Sequence, residues 1–90
     1  MADLFTLGNN DFNTFGSKLL QELYHDEKSK NVTLVSAELK TIEAHKAVLI
    51  IASDFFKEFF KAVKLDNPVI YLKNVKFIQL DRIIKFLYLG

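Results

Sequence analysis

The stretch from Asn31 to Phe60, N-V-T-L-V-S-A-E-L-K-T-I-E-A-H-K-A-V-L-I-I-A-S-D-F-F-K-E-F-F, decides how this chain folds. It reads as strand, tight turn, strand, helix, helix. Val32 to Val35 is rich in β-branched residues, and Lys40 to Ala44 pairs with it across a short turn around Ala37-Glu38. After Ala44-His45-Lys46 comes a helix that is apolar on nearly every side: Ala47, Val48, Leu49, Ile50, Ile51 and Ala52. A helix that is hydrophobic all round is buried all round. In a chain of 90 residues one core covers one side of it. The other side needs a partner, and a second copy of the chain is the simplest one.

Working outward, the first helix is predicted to begin near Asn10 or Asp11, either of which is a good N-cap. Phe12, Phe15, Leu19, Leu20, Leu23 and Tyr24 follow spacings of three, four and one, and form a single apolar stripe. Asp26 to Lys30 is a polar loop. Ser53 caps a helix from Asp54 to Ala62, with Asp54 favourably placed in its first turn. Pro68 cannot continue that helix, and Val69 to Leu72 forms a third strand. The last helix runs from about Phe77 to Leu89, with Phe77, Leu80, Ile83, Ile84, Leu87 and Tyr88 as its inner face. The expected architecture is a single α/β (α+β) domain over residues 1–90, a small sheet of about three strands flanked by helices.

Half of the residues are hydrophobic and nine are Phe. Burying all of them inside one small core is difficult, so shared burial in an oligomer is expected. Net charge is +1, and of the 12 basic residues only Arg82 is an arginine. Phosphate and base-edge recognition favours Arg and needs a basic excess, so no direct nucleic-acid binding is expected. With no cysteine there are no disulfides or thiolate metal sites. No apolar run approaches the length of a membrane span, and no secretory leader is visible. The chain is accordingly expected to be intracellular, without a membrane partner. The sequon Asn31-Val32-Thr33 then marks a strand start rather than a glycan site.

Catalytic and metal-binding readings find little. His25 and His45 lie in different elements with no ligand spacing between them. His45 stands where a strand turns into a buried helix, which fits a structural hydrogen bond at that corner. There is no nucleophile-base arrangement, and none of the three glycines belongs to a phosphate-cradling loop. Neither enzymatic activity nor a cofactor is expected. Phe55, Phe56, Phe59 and Phe60 sit on one helix and cannot all face one core. One or two of them belong at the surface or in a partner groove.

The same residues carry a family resemblance. N-V-T-L, A-H-K-x-x-L and S-x-F-F, with Asn67-Pro68-Val69-Ile70-Tyr71-Leu72 and the ending Phe86-Leu87-Tyr88-Leu89-Gly90, resemble the BTB/POZ domain. That family's pattern is roughly D-V-x-L, a hairpin, A-H-[KR]-x-V-L, S-x-x-F and finally F-[ILM]-Y-x-G. The start, from Leu4 to Asn10, further resembles the arthropod tramtrack-type subgroup, F-x-L-x-W-N-N, with Gly8 where that pattern has Trp. The family continues with another strand and about two more helices, so the resemblance implies a domain cut short at Gly90, whether as a truncation or a short natural form.

The resemblance implies an oligomerisation module: a homodimer or larger even assembly that also meets other BTB or co-regulator proteins. It implies a nuclear transcription or chromatin regulator, with the cytosol as the other compartment. The dimer interface it implies comprises Phe5, Leu7, Phe12, Phe15, Leu19, Leu20, Leu23, Ala47, Ile50 and Ile51, with Phe5 and Leu7 on a segment that swaps onto the partner. In family dimers an acid and a base line a charged interface pocket, and these positions correspond to Asn31 and Lys46. Here the acid is an amide, so the pocket keeps its cation and loses its anion. The rival reading is a substrate adaptor of a cullin-type ubiquitin ligase. It needs a hydrophobic-x-acid docking loop that Lys61 to Asp66 does not present cleanly, and helices beyond Gly90. A tetramerising channel-type domain is a third reading, for which no polar tetramer face is evident.

Overall fold

A computed structural model describes residues 9–90, with side chains described from Phe15 onward. Phe5 and Leu7, and the side chain of Phe12, lie outside the described residues. In chain order the elements are α1 (Asn9–His25), a 3-10 turn (Glu27–Ser29), β1 (Val32–Val35), β2 (Thr41–Ala44), α2 (Lys46–Ala52), α3 (Asp54–Ala62), β3 (Val69–Tyr71) and α4 (Phe77–Leu89). The fold is α+β, with one three-stranded mixed sheet in the order β2-β1-β3. β1 pairs antiparallel with β2, Leu34 opposite Ile42, and parallel with β3, Leu34 opposite Ile70.

The central strand β1 sets the core. Its alternating residues Val32 and Leu34 are buried, and they meet Ala44, Leu49, Phe60, Ile70, Leu80, Ile84 and Tyr88 in one cluster. Fully burying a side chain such as Leu34, Leu49 or Leu80 is worth about 1.5–3 kcal/mol, so this cluster supplies most of the drive to fold. α1 packs on α4, and α2 on α3. Ser53 caps α3 as expected, its Oγ accepting from the Phe56 N–H at 3.4 Å.

Two element edges differ from the sequence expectation. α1 is already helical at Asn9, so Asn10 and Asp11 lie within it rather than at its cap. β2 begins at Thr41 rather than Lys40, because Lys40 closes the turn. The Ser36 N–H donates to the Lys40 carbonyl at 2.8 Å, and the Lys40 N–H donates to Ser36 Oγ at 3.2 Å. A third difference concerns α4. Leu80, Ile84 and Tyr88 are its buried line, while Ile83 is 52% exposed. The periodicity put Ile83 inside. The helix instead rests on the sheet along the i, i+4, i+8 row, and Ile83 falls at the edge of that footprint.

The turn between β1 and β2 also fastens α4. The Glu38 carboxylate accepts the N–H of Phe77, the first residue of α4, at 2.9 Å. The first N–H groups of a helix have no partner within it, and an anion there also meets the positive end of the helix dipole. This backbone hydrogen bond, foremost among its neighbours, holds the Glu38 pKa below the ordinary carboxylate value. Its contribution is present above the unfolded carboxylate pKa and is lost as pH falls through the lower folded one. Glu38→Gln should lower Tm at neutral pH, and the gap to the parent should narrow on acidification. A constant gap across that range would separate Glu38 from the capping of α4.

Leu39, next in the turn, has φ +68° and is 72% exposed. A side chain in that left-handed region costs about 1–2 kcal/mol relative to its preferred conformations. Leu39→Gly relieves the strain and gives back part of it as chain entropy. Chemical denaturation should show a net gain of about 0.5–1 kcal/mol; a loss would mean that Leu39 has packing the turn depends on.

Candidate functional site

The start of α2 concentrates the polar connections of the fold. Asn31, just before β1, extends its Oδ1 to accept the Lys46 N–H at 2.8 Å. Lys46 opens α2, so this side chain satisfies one of the unpartnered first-turn donors. The Lys46 ammonium lies elsewhere: Nζ donates to the Leu65 carbonyl at 2.6 Å and sits 5.8 Å from the centre of the Phe60 ring. Within the protomer, Asn31 and Lys46 therefore meet through the Lys46 backbone. The two side chains do not share a charged pocket within the protomer. A first-turn N–H requires an acceptor, and an ammonium is well served by a carbonyl and an aromatic face.

Beside it His45 is buried, 7% exposed, and is held on both ring nitrogens. Nδ1 lies 2.6 Å from the Tyr88 hydroxyl, and Nε2 lies 2.6 Å from Ser29 Oγ. The Tyr88 hydroxyl also accepts the His45 backbone N–H at 2.9 Å, and Ser29 Oγ donates to the Asp26 carbonyl at 3.1 Å. This is the structural corner expected for His45. Burial, with the nearby Lys30 charge, holds the His45 pKa below its ordinary value, against the weaker pull of Asp26 and Glu27. Burial pushes the Tyr88 phenol up. Sequence reading gave Tyr88 an inward position but not this role, since its partner lies 43 residues away.

The interface residues expected from sequence divide into two groups. Phe15 and Leu19 on α1 are each 49% exposed, and on α2 Ile51 is 87% exposed with Ala47 beside solvent as well. Leu20 is half-buried, whereas Leu23 and Ile50 pack against the protomer's own core. The apolar stripe of α1 thus serves two surfaces, with Leu23 and Tyr24 facing inward and Phe15 and Leu19 outward.

Of the four phenylalanines of α3, Phe60 is buried, Phe56 and Phe59 are half-buried, and Phe55 is 62% exposed. Phe55 borders a groove of about 390 Å³ between α2, α3 and α4, floored by Leu34, Leu49 and Leu80 and edged by Ile83 and Leu87. The sequence signal for its rim was weak: Ile83 belongs to the stripe read as interior. Among the described residues no cluster of His, Asp or Glu could hold a metal ion, and no helix is long and apolar enough to cross a membrane.

Comparison with known proteins places these features in context. The family model for the BTB/POZ domain matches residues 20–90. The chain is 34% identical over 86 residues to the Broad-complex core protein of Drosophila melanogaster, covering 96% of this chain and 12% of that protein. It is 37% identical over 81 residues to the longitudinals lacking protein-like of the same species, covering 88% of this chain and 64% of that one. It is 32% identical over 82 residues to the alpha isoform of protein tramtrack, also from Drosophila melanogaster, covering 88% of this chain and 10% of that protein. The chain thus spans a minor part of two of these relatives and under two thirds of the other.

The role of Asn31 is open to direct measurement. Asn31→Ala should cost about 0.5–2 kcal/mol, the usual range for losing a helix cap. Asn31→Asp keeps the acceptor and adds a negative charge at the start of α2, and should gain about 0.3–1 kcal/mol at low ionic strength, less as salt is added. Urea denaturation of the three proteins at two salt concentrations decides the matter. A neutral Asn31→Ala would show that water serves the Lys46 N–H equally well.

Proposed function

The chain belongs to the BTB/POZ domain family, and on that premise we propose that it is a protein-interaction module that joins two copies of its parent protein. The observation that carries this reading is the outward apolar surface of α1 and α2, where Phe15, Leu19 and Ile51 stand in solvent in a single protomer. After Lys46, α2 has no polar side chain before Ser53. Lone exposed apolar residues are ordinary; a helix with no polar face, together with a second helix exposing Phe and Leu, calls for a covering partner.

A second copy is the occupant we favour, in an isologous interface where the same patch is presented from both sides. Larger even assemblies and pairing with other family members use the same surface. The parent protein is read as a nuclear regulator of transcription or chromatin. The module's contribution is physical: it brings together whatever is fused to it and raises avidity for paired sites. Nucleic-acid contacts belong to other parts of that protein, given the near-neutral charge and single arginine here.

Light scattering across a concentration series should give at least a dimeric mass at micromolar concentration. A folded monomer there sinks the reading. Leu19→Asp and Ile51→Asp each place a carboxylate in the proposed interface, where an unpaired charge costs several kcal/mol. Each should weaken association by about a hundredfold or more, while circular dichroism shows the protomer still folded, because both positions are exposed within it. Unchanged mass in both variants would move the interface elsewhere.

A further inference from the structure

We infer that the corner around His45 is an acid-sensitive latch, in which a proton on the imidazole breaks the hydrogen-bond chain that ties the 3-10 turn, the start of α2 and the end of α4 together. One arrangement satisfies every donor and acceptor. Ser29 Oγ spends its proton on the Asp26 carbonyl, so it accepts from His45 Nε2–H. Nδ1 is then unprotonated and accepts from the Tyr88 O–H, while the Tyr88 oxygen accepts the His45 backbone N–H. Every member of this chain is satisfied only when the imidazole is neutral.

A second ring proton has to go on Nδ1, which then becomes a donor pointed at a hydroxyl that is already donating to it, 2.6 Å away. The Tyr88 O–H must rotate off, and no other acceptor is recorded for it in a site where Tyr88 is 2% exposed. A buried hydroxyl without a partner and a buried imidazolium both destabilise the closed corner.

The charges facing the site do not offset this. Lys30, with its ammonium paired to Glu27 at 2.7 Å and placed 5.4 Å from the Tyr24 ring centre, opposes the imidazolium. Asp26 and Glu27 favour it, and both lie in the same turn on the solvent side. From α4 the facing group is the Tyr88 phenol, and from α1 it is the Tyr24 ring against Tyr88. Neither carries a neutralising charge near neutral pH.

With the folded pKa below the unfolded one, the unfolded chain binds the extra proton. The latch's contribution is therefore complete above the ordinary histidine pKa and is lost as pH falls through and below it. Each unit of separation between the two pKa values reduces the folded-to-unfolded ratio about tenfold at the acid end.

The test uses the full chain. NMR of the imidazole nitrogens should show His45 as the Nε2–H tautomer at pH 7.5, titrating below the ordinary histidine value. Thermal unfolding between pH 7.5 and 5 should fall more steeply for the parent and for His25→Gln than for His45→Gln or Tyr88→Phe. If His45→Gln does not fold, the NMR titration of the unaltered protein and the Tyr88→Phe comparison still decide. An Nδ1–H tautomer, a His45 titration at or above the ordinary histidine value, or an acid slope unchanged by both corner variants would overturn the latch.

Discussion

A single hydroxyl holds together parts of this fold that the chain keeps far apart. Tyr88, near the end of α4, reaches both the backbone and the ring of His45 at the start of α2. Those contacts lock the corner where β2 becomes α2, and through the imidazole they fix Ser29 and the turn that leads from α1 into β1. If the hydroxyl is lost, two buried groups of His45 lose a partner together: its backbone donor and its ring Nδ1. Leaving a buried polar group unpaired costs about 1–3 kcal/mol, a large share of the stability a domain of this size has to spare. The apolar cluster supplies the drive to collapse, and this polar corner selects which collapsed arrangement is kept.

The apolar residues outnumber the places available to them. Around β1 the sheet and α4 absorb Val32, Leu34, Ile70, Leu80 and Ile84. Among the described residues, exposed apolar side chains include those on three surfaces: the outward sides of α1 and α2, the groove bordered by Phe55 and Ile83, and β3, where Val69 and Tyr71 are exposed. That distribution fits a family built to meet other proteins. On the proposed reading, Ile51 stands at the surface of α2 because a second copy covers that face.

Much of this was legible in the sequence, for physical reasons that can be named. α2, α3 and α4 could be placed because Ser53, Pro68 and the apolar spacing mark their limits. β1 announced itself by β-branching and β2 by its distance across a short turn. The corner histidine was legible because a lone imidazole beside an apolar helix needs a partner. Its partner was not, because hydrogen bonds between residues 43 apart leave no local pattern. The destination of Lys46 was hidden likewise: nothing in the chain around Lys46 points to the Leu65 carbonyl. The outward position of Ile83 was missed because periodicity gives the width of a stripe but not the width of the surface it meets. The family pattern supplied the pairing of Asn31 with Lys46 at an interface between copies; within the protomer the amide serves the Lys46 N–H, a contact the pattern does not describe.

The sheet's strand order governs the route by which the chain assembles. β1 and β2 are joined by a turn of a few residues, so their pairing closes a small loop at little entropic cost. β3 is different. It lies against β1 with Ile70 opposite Leu34, so the whole of β2, α2 and α3 is looped out between them. Closing that loop pays off only when α2 and α3 already have an apolar surface to settle on. The hairpin therefore belongs to the early, fast part of folding, and β3 with α4 to the late part. Until β3 docks, the free side of β1 carries the open backbone donors and acceptors of Thr33 and Val35, which makes the nascent protomer briefly adhesive along the strand that later lies at the centre of its sheet.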